Sequence, residues 1–345
     1  MKKFAVISLT ERGRIISENI KSKEQDFLIH RFCFHKHPDA NAAVFHDLAE
    51  LSASLFRAYD ALIYICACGI AVRMIAPHFV TKQDDPAVIA VDDRGKYVIP
   101  LLSGHLGCAN ALAERIARAL NATAVITTAT DIGGLFSPDS FALANHLLIS
   151  DLTTAKHIAA AVLNGETVGF HCKYPFRNLP SELTKTDSAR IGIVIADTKE
   201  FSPYPETLHL IPKNIVVGIG CKKGVAAEII TKTVKEVLSE NGISADRICK
   251  AASIDRKANE PGLLQFCRES GITLKTYSAD TLMQIPGTFT HSEFAKRITG
   301  ADNICERSAV LCSGGTLIIP KTARNGVTVA AAETAVEIDF EKRIL

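Results

Sequence analysis

Residues 67–113 read ACGIAVRMIAPHFVTKQDDPAVIAVDDRGKYVIPLLSGHLGCANALA, and the alternation within them decides the fold. A strand-like apolar run, Leu62–Cys66, stops at Gly69. After a short segment, Lys82, Asp84 and Asp85 crowd around a turn at Pro86. Two further strand-like runs flank the turn Asp92-Asp93-Arg94-Gly95, and Ser103-Gly104-His105 opens a helix. Small and charged residues therefore gather where strands end and helices begin, which is where open α/β sheets bind ligands.

The same alternation extends outward. Strand-type runs fall at Phe4–Ser8, Ala61–Cys66, Ala87–Val91, Val98–Leu102 and Ala124–Thr128, and Asn110–Leu120 carries Ala113, Ile116, Ala117 and Leu120 at helical spacing. From Asp131 onward, Phe141–Ser150 and Thr153–Asn164 read as helices, and Glu166–His171 and Arg190–Ala196 as strands. The polar stretch Lys199–Lys213, with prolines at 203, 205 and 212, reads as a linker. Beyond it come the strand Ile215–Gly218, a glycine turn, and a helix through Glu240 with Ile229, Ile230, Val234, Val237 and Leu238 on one stripe. Further strand runs are Ile248–Ile254, Thr273–Tyr277 and Thr316–Pro320. The expectation is an α/β protein of three units, 1–130, 131–212 and 213–345, built on largely parallel open sheets flanked by helices.

The 345 residues are 47% apolar and 22% charged, as in ordinary globular proteins. A net charge of +2 gives no reason to expect nucleic acid or a membrane surface. No segment reaches the ~18 apolar residues of a membrane span. The N-terminal apolar run meets Glu11-Arg12 after Leu9 without a small-residue cleavage site, so it reads as a first strand and the chain as cytoplasmic. Ten cysteines, many in apolar runs and none in a C-x2-C pair, read as buried free thiols. An alternating strand Phe27–His37 would put Cys33, His35 and His37 on one face. No acidic group to orient such ligands is obvious, and a solvated strand end is the favoured reading of the cluster His30, Cys33, His35 and His37 over a metal site.

Several groups can carry chemistry. His105 is either a general base, since an imidazole titrates near neutral pH, or a histidine bonded to a carbonyl beside an N-capping serine. Glycines at 104 and 107 let backbone approach an anion. Lys82, Asp84 and Asp85 offer a cation for an oxyanion and a carboxylate for water, or are a charged loop ahead of a strand. Arg73 and His78 point into the same crevice or into solvent. Gly218-x-Gly220-x-x-x-Gly224 is a near miss to a dinucleotide fingerprint: its third glycine is displaced, and Asp255 comes about thirty residues on rather than ~20. Lys222 and Lys223 suit some other anion better. Arg256, Lys257, Asn259, Glu260, Glu306, Ser308 and Lys321 fall near strand ends, where they would form the second wall of a shared cleft.

The runs GIAVR-x-IAP, K-x-x-DPAV and LLSGH-x-G-x-AN, followed by GIGCKKG, SIDRKANEPGL and PKTARNGVTVAAA, resemble the cobalt-precorrin-5A hydrolases of cobalamin biosynthesis, the CbiG family. The resemblance covers nearly the whole chain and is weaker between 135 and 210. Cys108 stands where a glycine is common, Lys222-Lys223 replace an arginine pair, and Arg256 replaces an apolar residue. The resemblance implies opening of the ring-A acetate δ-lactone of cobalt-precorrin-5A and release of acetaldehyde, giving cobalt-precorrin-5B. The site expected from it has His105 as base, Lys82 stabilising negative charge and Asp84 orienting either one. Substrate contacts are expected from Gly69, Arg73, Ser103, Gly104, Asn110, Gly220, Lys222, Lys257 and Glu260. Cobalt would arrive inside the substrate, an anionic tetrapyrrole, so no resident metal or cofactor is expected. Neighbouring enzymes of that pathway are the other expected partners. Two alternatives stand beside this reading: an NAD-dependent oxidoreductase using the GIGCKKG turn, and a non-enzymatic module that binds a corrinoid intermediate.

Overall fold

Ala61–Ile65 and Ala87–Val91 are buried along their whole length, as strands covered by helices on both faces must be. In the computed structural model, which describes residues 2–80, 84–104, 108–127 and 135–342, they lie inside a seven-stranded sheet. Its strands are β1 (Lys3–Ser8), β2 (Leu28–Phe34), β3 (Ala43–Phe45), β4 (Ala61–Ile65), β5 (Ala87–Val91), β6 (Tyr97–Leu102) and β7 (Thr123–Ala124), in the order β3-β2-β1-β4-β5-β6-β7. β1 to β5 are mutually parallel, whereas β6 runs back against β5. Ile20, Leu112 and Ile116 cover one face from the helices Glu11–Lys23 and Ala109–Leu120. Leu55, Ala71 and Ile75 cover the other, from Leu48–Leu55 and Cys68–Ile75.

The middle sheet contains β8 (Leu147–Ile149), β9 (Val168–Cys172), β11 (Leu183–Thr184), β12 (Ile191–Ile195) and β13 (Glu206–Pro212), in the order β11-β9-β12-β13-β8; the two-residue β10 (Phe176–Arg177) lies outside it. The third sheet has β14 (Ile215–Cys221), β15 (Ile248–Ile254), β16 (Thr273–Tyr277), β17 (Thr316–Arg324) and β18 (Val327–Glu333), in the order β16-β15-β14-β18-β17. β14, β15 and β16 are parallel, and β18 and β17 close the other side antiparallel. The chain then returns: β19 (Ile338–Asp339) pairs with β10, and Ile338 is a buried member of the middle core. The last described residues thus pack with the middle sheet, not with the third as the span 213–345 had it.

Several expectations are corrected. Residues 199–213 are not a linker: 206–212 form β13, an inner strand between β12 and β8. Its prolines are harmless because Pro203 and Pro205 precede the strand and Pro212 is its last residue. Residues 141–150 are not one helix. The helix is Pro138–Ala144, and Leu147–Ile149 then pairs as β8. Ile229 leaves the apolar stripe and is 40% exposed, while Ile230, Val234, Val237 and Leu238 are buried. β2 ends at Phe34, so Cys33, His35 and His37 do not share a strand face; His35 stacks on His46 instead.

Two close approaches explain glycines that no turn requires. Gly169 and Gly192 face each other across β9 and β12, and the buried Tyr204 ring lies over both, its hydroxyl donating to the carbonyl of Thr186 at 2.9 Å. Gly218 in β14 lies flush against the helix Cys305–Ser313, where a Cβ would stand 1.8 Å from the carbonyl oxygen of Cys305. Backbone cannot yield as a flexible side chain does. Gly218→Ala should therefore cost about 3 kcal/mol, the upper range of overpacking, read as a lowered denaturant midpoint. An unchanged midpoint would mean that the helix does not pack there.

Candidate functional site

In the strand order of the first sheet, β1 leads to β2 on one side while β4 lies on the other, so the topological switch point falls between the carboxyl ends of β1 and β4. Gly69 sits there, in the first turn of the helix Cys68–Ile75, with open space where a Cβ would project. Arg73 is exposed further along that helix. Beyond β1, Thr10 caps its helix and bonds Asp93 beyond β5, bridging the end of β4. Arg14 and Arg31 both pair with Asp39, whose carboxyl is held down to about 2 by the N–H of Asn41 and by these guanidiniums. Those cations are occupied by structure. Cys66, at the end of β4, is pushed up to about 11 by burial, so it stays a protonated thiol near neutral pH.

Leu102, Ser103 and Gly104 lie at the opposite edge of the same sheet. β6 is antiparallel to β5, so Leu102 pairs with Val88, beside the start of β5. Ser103, with φ +59°, donates its hydroxyl to the carbonyl of Asp85 at 3.0 Å. Asp85 is 8% exposed and accepts the N–H of Val80 at 3.0 Å, which draws the residues before and after 81–83 together. A cavity of about 560 Å³ opens here, lined by Tyr59, Asp60, Val80, Asp84, Asp85 and Pro86 among others. Lys82 and His105 lie outside the described residues. Their neighbours Asp84 and Gly104 stand at this one edge, while Gly69 stands at the far one, so the first unit does not gather all its expected residues in one crevice.

Ser103 is not an N-cap. The helix starts at Ala109, with Cys108 at φ +64° before it, and the loop closes through Ala109 N–H to Ser103 O and Asn110 N–H to Gly104 O, both 3.1 Å. Asn110 is buried against Gly104, where a Cβ would approach its Oδ1 to 2.9 Å. Gly104 is therefore needed to seat Asn110 whatever else it binds.

In the third sheet, Gly218 and Gly220 lie inside β14, and only Gly224, at φ +77°, belongs to the turn. A dinucleotide fingerprint needs its glycines in the turn, so the oxidoreductase reading loses its motif. Gly220 instead seats Thr328, whose Oγ1 would lie 2.5 Å from a Cβ. At the carboxyl edge of β14 and β15, Glu260 is 7% exposed and accepts from Gly224 N–H and Lys257 Nζ, both at 2.7 Å. Lys257 first, then that N–H, holds its carboxyl below the usual range. Lys222 and Lys223 make no ion pair among the described residues. Glu306 and Ser308 are buried within the fold: Glu306 accepts from Thr290 and from Lys321 N–H, and Ser308 bonds the carbonyl of Cys305. They form no wall of a cleft.

Sequence reasoning missed a second cavity, of about 840 Å³, between the middle and third sheets. Its residues come from six separate segments, which no local pattern groups, and the burial of Arg247, paired with Glu333, becomes visible only once the third sheet is assembled.

Because Glu260 is favoured as the carboxylate in the folded protein, its contribution is complete above 4.5 and is lost as pH falls through its lower folded value. Glu260→Gln should cost about 2 kcal/mol at pH 7, and the gap from the parent should shrink below pH ~4.5. Urea unfolding across that range checks it; a gap that grows on acidification would refute the pairing.

The chain matches three family models: Cobalamin synthesis G N-terminal over residues 50–131, Cobalamin biosynthesis central region over 136–212, and Cobalamin synthesis G C-terminus over 215–332. It is 31% identical to the cobalt-precorrin-5A hydrolase of Salmonella typhimurium over 81% of this chain and 84% of that one. It is 30% identical to the cobalt-precorrin-5A hydrolase of Priestia megaterium over 95% and 94%. A crystal structure of a putative cobalamin biosynthesis protein G homolog from Sulfolobus solfataricus aligns at 25% identity and a TM-score of 0.42, covering 96% of this chain and 97% of that one. With its three segments matched in order and two relatives at this identity over most of its length, the chain belongs to the CbiG family of cobalamin-biosynthesis enzymes.

Proposed function

We propose that this protein is a cobalt-precorrin-5A hydrolase that opens the ring-A δ-lactone and releases acetaldehyde, giving cobalt-precorrin-5B. The observation that carries the reading is the similarity to two hydrolases of that name over 81% and 95% of the chain. Cobalt enters as part of the substrate and no resident cofactor is invoked. No helix among the described residues is long and apolar enough to cross a membrane. We place the enzyme in the cytoplasm, where neighbouring enzymes of the pathway would supply and remove its tetrapyrroles.

The chemistry needs water added to the lactone carbonyl, donors for the resulting oxyanion, and a base for the freed hydroxyl. That hydroxyl loses its proton as the adjacent C–C bond breaks, acetaldehyde leaves, and the carbon left behind takes up a proton. We assign the base to His105, charge stabilisation to Lys82 and the backbone around Gly104, and orientation to Asp84. Supporting the assignment, the bond from Ser103 to the Asp85 carbonyl holds the two flanking segments together beside a cavity.

Incubation with cobalt-precorrin-5A should release acetaldehyde, detected by a coupled alcohol dehydrogenase. Binding without release would leave the corrinoid-binding module as the better reading. His105→Ala should lower the release by ~10²–10⁴-fold with an unchanged circular dichroism spectrum. Lys82→Ala should lower turnover, substrate affinity or both. A His105→Ala variant near the parent rate makes that histidine structural and Asp84 the leading base.

A further inference from the structure

Where β13 passes into β14, the edge strand β8 faces the helices Ala227–Glu240 and Pro261–Glu269 across the 840 Å³ cavity, a volume within the ~300–1,000 Å³ range of ligand sites. Arg247 lines it and is 5% exposed. One of its Nη atoms donates to Asn214 Oδ1 and Glu333 Oε1, both at 2.9 Å, yet its buried Nε–H has no acceptor among the described residues. Thr231 Oγ1, on the same wall, is also buried and without a partner among the described residues. A buried donor left unmatched costs about 1–3 kcal/mol, so two of them on one wall mark where an acceptor belongs.

The charge around the cleft points the same way. Lys199 lines it from the middle unit, Lys213 from the joint between β13 and β14 and Lys235 from the third unit, and none forms an ion pair among the described residues. Of the acids lining the cleft, Asp197 is already paired with Lys173 at 2.8 Å. Asp246 and Glu269 have no ion pair among the described residues, so three such lysines face two such acids. Cations spread over two opposed walls suit a broad ligand with several carboxylates better than one small anion.

We propose that this cleft receives the carboxylate rim of a polycarboxylated tetrapyrrole, one carboxylate accepting from Arg247 Nε–H and the Thr231 hydroxyl while the three lysines meet others. The ligand's class rests on the function proposed above; the cleft rests on its own geometry. No residue expected from the sequence to bind substrate lies in it.

The test titrates the full chain with uroporphyrin, an eight-carboxylate tetrapyrrole, and follows fluorescence. A doubly substituted Lys213→Glu/Lys235→Glu chain should bind at least ~10-fold more weakly, and Thr231→Val, which keeps the side-chain shape, ~5-fold more weakly. Lys21→Glu/Lys296→Glu, on exposed positions of the helices Glu11–Lys23 and Glu293–Thr299 and outside the cleft lining, should stay within about twofold of the parent. Melting temperatures near the parent's exclude unfolding as the cause. The proposal is overturned if the parent does not bind uroporphyrin, if the two cleft variants bind like the parent, or if the Lys21/Lys296 variant loses as much binding as they do. Acetaldehyde release is scored separately. A parent that releases none while the cleft variants lose uroporphyrin defeats the hydrolase reading and sustains the cleft. A parent that releases acetaldehyde while the cleft variants bind uroporphyrin unchanged does the reverse.

Discussion

Asn214 holds the second half of the molecule together. Its amide donates to Glu333 Oε1 and the carbonyl of Thr334, its oxygen accepts from Arg247, and its own carbonyl takes the N–H of Thr334. A guanidinium taken out of water costs several kcal/mol unless it is matched in place, so burying Arg247 is tolerable only with this arrangement intact. The chain crosses the same joint twice, outward from Pro212 to Ile215 and back from Glu333 to Ile338. On the return, Asp339 N–H and carbonyl both bond the Asn145 side chain, and Phe340 stacks on Phe141 at 4.4 Å inside the middle core. The middle and third sheets are therefore joined by two antiparallel crossings rather than strung on a single linker.

Much of this was legible in the sequence where local signals were strong. β5, β15 and β16 begin and end at the expected residues; β5, buried along its whole length, carries only apolar side chains, while β16 is a half-exposed edge strand marked by its β-branched and aromatic residues. The failures are equally physical. In Lys199–Lys213, three prolines outweighed the alternation Thr207-Leu208-His209-Leu210, although each proline sits where a missing N–H does no harm. Phe141–Ser150 is apolar enough for a helix, but its second half is taken by pairing with β13, a partner more than fifty residues away that no local pattern reports.

The largest error concerned direction. Nothing in an apolar run says which way it points, and the motifs after Ile65 and after Leu102 both look like loops following strands. The signal that separates them is the short connection Asp92–Lys96: with so few residues, β5 and β6 can only be antiparallel neighbours. That reverses β6, carries Ser103 and Gly104 to the edge where β5 begins, and leaves Gly69 at the edge where β4 ends. The bond from Ser103 to the Asp85 carbonyl is the direct consequence, and it brings Asp85 and Ser103 together although some twenty residues separate them.

The same reasoning applies to the cations of the third unit. β14 starts at the joint and ends at Cys221, seven residues on, a span of about 20 Å at ~3.3 Å per residue. Arg247 and Ile248 lie at its starting edge, with the cleft; Lys222, Lys257 and Glu260 lie at its finishing edge. A ligand seated in the cleft is separated from the GIGCKKG turn by the full depth of the sheet, so these are two surfaces and not two walls of one. Near-neutral overall charge conceals this. Lys222 and Lys223 lie at one end of the parallel strands β14–β16 and Lys213 and Lys235 toward the other, and among the described residues it is the end against the middle unit that has a second wall, unmatched buried donors and a cavity.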